Sequence, residues 1–173
     1  MKVIGLAGWS GAGKTTLLTR ALPHLLAQGL RVSVIKHAHH KFDVDTPGKD
    51  SWRHREAGAE EVLVSSGTRW ALMHELRGEQ EPALPELLAK LSPVDLVVIE
   101  GYKTDPHHKI EVHRADNGKP LLFPNDPGIV GIATDVDVAT TLPTVHLDDI
   151  RAVAAMMLRS AMPIADLLVS AGT

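Results

Sequence analysis

Apolar residues near the start of the chain follow the pattern of a parallel β-α-β unit. A nearly continuous apolar stretch from Lys2 to Ala7 predicts a strand, and a second one from Arg31 to Lys36 predicts its parallel partner. Between them, from Lys14 to Gln28, leucine and alanine recur every three or four positions, which indicates an amphipathic helix. Parallel strands that are covered on both faces are apolar throughout, so we expect both strands to lie in the centre of the sheet.

The remainder of the chain alternates between helical and strand-like patterns after an irregular polar segment from His37 to Gly48. The predicted helices are Asp50 to Ala57, Leu84 to Leu91 and most of Asp148 to Val169. The predicted strands are Glu61 to Ser65, Arg69 to Leu76, Asp95 to Gly101, Ile129 to Ala133 and Val145 to Leu147. Together these elements predict an α/β fold with a mostly parallel central sheet flanked by helices, in a single domain of residues 1–173.

Two turns along this pattern predict antiparallel hairpins. Ser66-Gly67-Thr68 separates two of the predicted strands and forms a hairpin-like turn. The second signal is an Asn-Gly pair at Asn117-Gly118, between the apolar stretches Ile110 to Arg114 and Lys119 to Phe123. We therefore expect an antiparallel arm at about residues 107–124.

Composition and charge exclude several classes of protein. The chain has 173 residues, of which 44% are apolar and 23% charged, and it has no cysteine, so disulfides and cysteine-zinc sites are excluded. The formal net charge of −3 gives no overall attraction to nucleic acid. The N-terminus lacks the pattern of a secretory signal, and no apolar stretch approaches the roughly 20 residues that span a bilayer. We expect a cytoplasmic protein that binds neither nucleic acid nor membranes.

A glycine-rich loop from Gly8 to Thr15 follows the first predicted strand and opens the first predicted helix. Its pattern, Gly-x4-Gly-Lys-Thr, is that of a phosphate-binding loop, or P-loop, and the flanking elements are those that its mechanism requires. The glycines let successive backbone N–H groups point at phosphate oxygens, where the positive end of the helix dipole adds to the attraction. We expect the nucleotide to contact Gly8, Ser10, Gly11, Ala12, Gly13, Lys14, Thr15 and Thr16. The sequence thus predicts a P-loop NTPase-like fold that binds a nucleoside triphosphate.

Side chains in and near this loop predict a magnesium site. Lys14 adds a full charge at the β and γ phosphates, and Thr15 offers Mg²⁺ a hydroxyl oxygen. A carboxylate at the end of a neighbouring strand commonly completes such a site, and Glu100 is favoured over Asp95 because it follows the apolar residues of its strand. Asp45 and Asp50 could also reach the metal or a catalytic water, with a turn or a helix N-cap as their alternative roles.

Further segments resemble the molybdopterin-guanine dinucleotide biosynthesis protein B family, over residues 3 to about 135. The segments that carry this resemblance, besides the glycine loop, are VIKHAHH (34–40), DVDTPGKDS (43–51), RWALM (69–73) and VIEGYK (98–103). The resemblance implies a GTP-binding, weakly GTP-hydrolysing homodimer that assists the guanylyltransferase in making the molybdenum cofactor. It implies Mg²⁺ and GTP as cofactors, and molybdopterin and molybdoenzyme maturation proteins as further candidate partners. It also implies that the antiparallel arm builds the dimer.

The chain departs from regulatory GTPases in two respects. The Asn-Lys-x-Asp motif that reads guanine is missing, and no catalytic glutamine is evident, so slow hydrolysis is expected. An aspartate can accept hydrogen bonds from the guanine N1–H and 2-amino groups. Asp135, after the predicted strand that ends near Ala133, is therefore the candidate base-reading residue, with an ordinary loop aspartate as the alternative.

Two rival functions remain open on the sequence. The ten histidines allow a nickel-type metallochaperone GTPase, although the lack of cysteine weakens this hypothesis. The histidines that could supply ligands are His37, His39, His40, His107, His108 and His113. The other rival is a small-molecule kinase in which Arg53, Arg55 and Arg69 would bind an anionic acceptor, the alternative being surface ion pairs.

Overall fold

In the computed structural model, which describes residues 1–38 and 42–170, the chain forms two compact units. One contains residues 1–37 and the chain from residue 84 onward, and the other contains residues 38–83. The strands are β1 (Lys2–Ala7), β2 (Val32–Lys36), β3 (Glu61–Ser65), β4 (Trp70–His74), β5 (Leu96–Glu100), β6 (Lys109–His113), β7 (Ile129–Thr134), β8 (Thr144–His146) and β9 (Met162–Pro163). The helices are α1 (Lys14–Leu26), α2 (Asp50–Glu56), α3 (Leu84–Ala89), α4 (Ile150–Ser160) and α5 (Ile164–Ser170). The expected single-domain organisation stays a prediction.

The first unit is built on a parallel sheet with strand order β2-β5-β1-β6-β7-β8. The central strand, β1, pairs in parallel with β5 on one side and with β6 on the other. Pairing with β6 begins only at Gly5, and the antiparallel β9 pairs with the earlier residues Lys2 and Val3. The predicted mostly parallel sheet is confirmed, and its central strands end at the glycine loop.

The position expected for β2 was wrong. β2 lies at the edge of the sheet, because β5, which comes later in the chain, inserts between β1 and β2. Val34 is accordingly 42% exposed, whereas Val98, its neighbour on β5, is fully buried. A continuous apolar run indicates a parallel strand but does not say whether both of its edges are paired.

Helices cover both faces of this sheet. Alternate residues of β1 point to opposite faces, so Ile4 packs with α1 and α4, whereas Val3 packs with α3 and α5. Leu17, Leu25 and Met157 are among the helical residues that are almost fully buried in the first of these cores. Burying side chains of this size contributes roughly 1.5–3 kcal/mol each, so this core stabilises β1 and the start of α1.

The antiparallel arm expected at residues 107–124 was also wrong. Its first half is β6, a parallel strand inside the sheet, and its second half contains no strand. Ala115–Asn117 instead forms a 3-10 turn, and Gly118 ends that turn in the left-handed region at φ 58°. The backbone N–H groups of Leu122 and Phe123 donate to the buried carboxylate of Glu111, at 2.7 and 2.9 Å. These bonds use donors that a hairpin would have needed.

The second unit supplies the antiparallel hairpin of this fold. β3 and β4 pair in register, with Leu63 opposite Leu72, and the predicted turn at Ser66-Gly67-Thr68 joins them. One face of the hairpin carries Val62, which is 9% exposed and whose strand contacts α2. The opposite face carries Leu63, Leu72 and Trp70, which are 61, 48 and 67% exposed. The hairpin therefore presents an apolar face to solvent.

None of the helices in the described part of the chain has the length and apolar character needed to cross a bilayer.

A candidate nucleotide site at the carboxyl ends of the central strands

The glycine loop connects β1 to α1 with a backbone that suits its predicted role. Gly8, Gly11 and Gly13 have φ values of 145, 83 and 91°, which side-chain-bearing residues rarely adopt. A Cβ atom on Gly8 would lie 2.5 Å from the carbonyl oxygen of Val112 on β6, so space as well as conformation requires glycine there. α1 begins directly after Gly13 and has no acidic residue in its first turn, so its positive end faces the loop uncompensated.

Lys14 lies across the loop in a strongly cationic setting. Its Nζ atom donates to the carbonyl oxygens of Gly8 and Trp9, at 2.7 and 3.0 Å. Burial lowers the pKa of Lys14, and the positive charges of Lys103 and Lys36 lower it further, against the opposing effect of Glu100. The charge around Lys14 is therefore more positive than one carboxylate can balance, which suits the binding of an anion such as a polyphosphate.

Thr15 and Glu100, which are 85 positions apart, meet beside the loop. The Thr15 hydroxyl donates to Oε2 of Glu100 at 3.2 Å, and Nζ of Lys36 lies 3.8 Å from the same oxygen. Glu100 is only 5% exposed, and its Oε1 has no hydrogen-bond partner among the described residues. A buried carboxylate oxygen without a partner next to a threonine hydroxyl fits the oxygen ligands that Mg²⁺ prefers. The rejected alternative, Asp95, lies at the opposite end of β5 and accepts a 2.7 Å bond from the backbone N–H of Arg31.

The segment of residues 114–120, which directly follows β6, contacts the other side of the glycine loop. The indole Nε1 of Trp9 donates to the carbonyl oxygen of Pro120 at 2.8 Å, and Nδ2 of Asn117 donates to the carbonyl oxygen of Ser10 at 3.2 Å. A Cβ atom on Gly11 would lie 3.2 Å from Oδ1 of Asn117. This segment was predicted to be part of an antiparallel arm, but it packs against the glycine loop instead.

Asp135, the candidate base-reading residue, follows β7. Its Oδ1 accepts the backbone N–H of Ala115 at 2.9 Å, and Nη1 of Arg114 lies 3.5 Å from Oδ2. β7 is separated from β1 by β6, so the spacing of strands puts the end of β7 about 10 Å to the side of the glycine loop. Glu100 is at the end of β5, on the other side of β1. The two carboxylates thus flank the loop from opposite sides.

The chain turns sharply where it leaves β5. Gly101 has a φ of 102° and Tyr102 a φ of 48°, and the Tyr102 ring lies 4.9 Å from the ring of His37. After this turn, Nζ of Lys103 lies 5.8 Å from the centroid of the Trp9 ring. Lys36, Lys103, Asn117 and Arg114 were missed as site residues by the sequence reasoning. The sequence feature that could have identified them is their position, because each lies at or just after the carboxyl end of a strand next to β1 or β5.

Asp45 and Asp50 both belong to the second unit. The carboxylate of Asp45 binds the Arg55 guanidinium through two bonds of 2.8 and 3.1 Å, and this pairing lowers the pKa of Asp45. Asp43 and Glu75 pair with the same guanidinium, each at 2.9 Å. Asp50 is the first residue of α2, after Lys49 at the N-cap. Arg55 therefore has the ion-pairing role that was the alternative to acceptor binding, and the catalytic roles of Asp45 and Asp50 stay predictions.

The histidines singled out by the sequence lie in different surroundings. His107 is fully buried, and its ring packs against Gly5 of β1. The Nδ1 atom of His108 is hydrogen-bonded to the carbonyl oxygen of Ser160 at 2.9 Å. His39 and His40 lie outside the described residues. Across residues 1–38 and 42–170, no three histidine, aspartate or glutamate side chains are grouped so that they could hold a metal ion.

Comparison with known proteins identifies close relatives of this chain. Residues 3–135 match the family model of molybdopterin guanine dinucleotide synthesis protein B. The chain is 39% identical over 155 residues to the molybdopterin-guanine dinucleotide biosynthesis adapter protein of Escherichia coli (strain K12), across 88% of this chain and 89% of that protein. The adapter protein of the same description from Haemophilus influenzae is 46% identical over 122 residues, across 69% of this chain and 67% of that protein.

Solved structures confirm the predicted fold. A crystal structure of molybdopterin-guanine biosynthesis protein B superposes with a TM-score of 0.73 at 28% identity, across 91% of this chain and 98% of the other. The crystal structure of Bacillus subtilis MobB superposes with a TM-score of 0.72 at 24% identity, across 92% of this chain and 98% of the other, and shows a shared fold. The P-loop NTPase-like fold, with its parallel sheet and separate antiparallel hairpin, is therefore established.

Proposed function

Because the chain belongs to the family of molybdopterin guanine dinucleotide synthesis protein B, we propose that it is an adapter in the biosynthesis of molybdopterin guanine dinucleotide. In this proposal it binds GTP and Mg²⁺ at the glycine loop and acts together with the guanylyltransferase that attaches GMP to molybdopterin. The adapter role is supported by relatives at 39 and 46% identity, whose names carry that description. The nucleotide is supported by the chemistry of the site.

The observation that carries the nucleotide proposal is the buried contact between Thr15 and Glu100 beside a glycine loop of phosphate-binding geometry. Thr15 and Glu100 would hold Mg²⁺, directly or through water, and the ion when bound would neutralise charge on the phosphate groups. Backbone N–H groups of the loop and of the first turn of α1 would donate to the phosphate oxygens. Lys14 can exchange its two carbonyl acceptors for phosphate oxygens, which balances the cationic surplus around it.

Guanine is proposed as the base, with Asp135 as its reader. Asp135 lies on the side of β1 away from Glu100, so the base and the metal would occupy opposite ends of one elongated site. Each carboxylate oxygen can accept more than one hydrogen bond, so Asp135 can keep its bond to Ala115 while it accepts from guanine N1–H and N2–H. Adenine lacks this pair of donors, which gives the preference a chemical basis.

Slow hydrolysis fits the role of an adapter. Phosphoryl transfer to water is fast where a side chain orients the water, and no catalytic glutamine is evident in the sequence. Nucleotide binding would then mainly order the loop and the segment of residues 114–120 that is hydrogen-bonded to it. The guanylyltransferase would recognise this ordered state.

A homodimer is proposed through the β3–β4 hairpin. Leu63, Leu72 and Trp70 form an exposed apolar face on that hairpin, and large exposed apolar patches mark interaction sites. Within the described chain, β3 and β4 pair only with each other, so each strand has an edge open to another chain. A second copy of the same hairpin matches this surface in both apolar character and edge geometry, as a two-fold interface requires.

Reconstitution tests the adapter proposal directly. The purified protein and Mg·GTP are added to a purified guanylyltransferase with molybdopterin, and the dinucleotide cofactor formed is measured over time. We expect the wild-type protein to raise the yield or rate. Lys14→Ala should lose the effect because the loop loses its only side-chain cation, whereas Lys90→Ala, at an exposed position after α3, should keep it. Equal cofactor formation with and without the wild-type protein would overturn the adapter role.

Calorimetry tests the nucleotide proposal separately. We expect tighter binding of GTP than of ATP in Mg²⁺, and a large loss of GTP affinity in Lys14→Ala. Asp135→Asn should reduce the preference for GTP over ATP, because an amide cannot accept from both guanine donors. Equal affinities of the wild type for GTP and ATP would remove guanine from the proposal, and unchanged binding in Lys14→Ala would remove the site.

A further inference from the structure

The backbone is strained immediately after Glu100. Gly101 and Tyr102 are consecutive residues with positive φ, at 102 and 48°, and a non-glycine residue in this region costs on the order of 1 kcal/mol or more. A Cβ atom on Gly101 would lie 2.5 Å from the Cβ of His37, so the turn also packs closely. Such strain persists where surrounding contacts enforce it, and it commonly marks a functional site.

Contacts on both sides hold this turn in place. The backbone N–H of His37 donates to the carbonyl oxygen of Glu100 at 2.8 Å, which extends the pairing of β2 with β5 by one residue. The His37 and Tyr102 rings lie 4.9 Å apart, with a tilt of 38°. The turn therefore has a fixed position at the carboxyl end of β5, and it determines the position of the next residue.

That next side chain is Lys103, which the turn directs back over the glycine loop. Its Nζ lies 5.8 Å from the centroid of the Trp9 ring, in the range of a cation–π contact. Lys14 contacts the same residue, because its Nζ donates to the carbonyl oxygen of Trp9 at 3.0 Å. Lys103 thus faces the same space as the phosphate-binding lysine.

The charges around that space are unbalanced. Lys14 and Lys103 both contact Trp9, and the carboxylate of Glu100 lies on the Thr15 side of the same loop. Lys36 lies 3.8 Å from Glu100, but Lys103 has no carboxylate within salt-bridge distance in the described parts of the chain. Bringing like charges together is unfavourable. A strained turn that places a further cation beside Lys14 therefore indicates that this space binds an anionic ligand.

We propose that Lys103 binds the terminal phosphate group of the nucleoside triphosphate and makes the site prefer a triphosphate over a diphosphate. This inference rests on the proposed nucleotide function and adds a residue that determines specificity. Lys103 follows the same strand as Glu100, on the side of β1 where Thr15 and Glu100 would hold Mg²⁺, and the ion would supply positive charge to the phosphate groups there. The long flexible side chain of lysine can move from the Trp9 ring to a phosphate oxygen without a change in the backbone.

Calorimetric titration of the full chain with Mg·GTP and Mg·GDP tests this proposal. In Lys103→Met we expect roughly a tenfold or greater loss of GTP affinity with little change for GDP, the size expected for one charge-assisted hydrogen bond. Lys103→Arg should retain most of the preference, since it keeps the cation. The matched control is Lys90→Met, which removes an exposed lysine after α3 and should alter neither affinity.

Two outcomes separate this inference from the proposed function. If the wild type binds GTP but Lys103→Met has the same ratio of GTP to GDP affinity, the role of Lys103 is overturned and the nucleotide proposal stands. If the wild type binds neither nucleotide, both fail together. Thermal unfolding of each variant checks that folding is intact, which is expected because Lys103 is exposed.

Discussion

The indole N–H of Trp9 donates a 2.8 Å hydrogen bond to the carbonyl oxygen of Pro120, 111 positions along the chain. Trp9 belongs to the glycine loop, and Pro120 to the segment that follows β6. The same indole ring lies under Lys103, which comes from the turn after β5. The Trp9 side chain therefore connects the glycine loop to the segments on both of its sides.

Removal of this hydrogen bond should loosen residues 114–120. In Trp9→Phe the aromatic ring under Lys103 is kept but the donor is lost, so we expect faster backbone hydrogen exchange at Ala115 to Lys119. The expected loss of stability is about 0.5–1.5 kcal/mol, the usual net value of one hydrogen bond. Hydrogen–deuterium exchange read by mass spectrometry checks the first effect. Trp52→Phe, in α2, should leave exchange in this segment unchanged, and an identical profile in Trp9→Phe would show that the bond does not restrain it.

Neutralising Glu100 should weaken nucleotide binding mainly when Mg²⁺ is present. Glu100→Gln keeps the size of the side chain but removes the charge, so we expect a loss of roughly tenfold or more in GTP affinity with Mg²⁺ and a smaller loss without it. Calorimetry with and without EDTA measures both. Asp95→Asn is the matched control at the opposite end of β5 and should leave the magnesium dependence intact. Equal losses in the two conditions would contradict a metal role for Glu100.

Acidification should destabilise the protein through His107. Burial lowers the pKa of His107 to about 4, with Lys109 adding to the effect and Asp126 opposing it, whereas an unfolded histidine titrates near 6.5. Between these values the unfolded chain binds a proton that the folded chain excludes. The free energy of unfolding is therefore highest above pH 6.5. It decreases as the pH falls toward 4, by about 2 kcal/mol at pH 5.

Urea unfolding at pH 7.5 and pH 5.0 checks this effect. From pH 7.5 to pH 5.0, the free energy of unfolding should decrease more in the wild type than in His107→Leu. Each protein is compared with itself at the other pH, so a change in packing caused by the substitution cancels. His24→Gln removes a histidine near the end of α1 and should keep the full wild-type loss. If His107→Leu loses as much stability on acidification as the wild type, another group is responsible.

Charging the exposed face of the β3–β4 hairpin should separate the proposed dimer. Leu63 and Leu72 are opposite each other, so Leu63→Glu with Leu72→Lys replaces an apolar pair by an ion pair that the isolated hairpin can accommodate. We expect the double variant to be monomeric at concentrations where the wild type is dimeric, as measured by sedimentation velocity. Leu72→Val keeps the face apolar and should remain dimeric. A wild type that sediments as a monomer would argue against the dimer itself.

Local patterns were sufficient for much of the first unit. The glycine loop, α1 and the strands β1 and β5 were predicted because each is encoded by nearby residues: glycines where φ is positive, leucines at helical spacing, and continuous apolar runs. The position of Glu100 was predicted for the same reason, since its place at the end of β5 follows directly from the apolar residues before it. Its role as a metal ligand stays a prediction.

Both errors, the antiparallel arm and the position of β2, arise from contacts between segments that are distant in the sequence. The Asn117-Gly118 signal favours a hairpin locally, but the donors beyond it bond to Glu111, and Trp9 bonds to Pro120, so tertiary hydrogen bonds override the turn preference. β2 was expected in the centre because apolar content does not reveal which strand inserts beside it.

The sequence by itself determined the glycine loop and the candidate residues for phosphate and metal, because the conformation of glycine and the chemistry of lysine, threonine and glutamate are properties of single residues and short spacings. Only the tertiary structure decided what surrounds them. Strand order brought β5 and β6 to the two sides of β1, and with them Lys103 and Asn117 to the loop. These neighbours depend on pairings between distant segments, which short-range patterns do not specify.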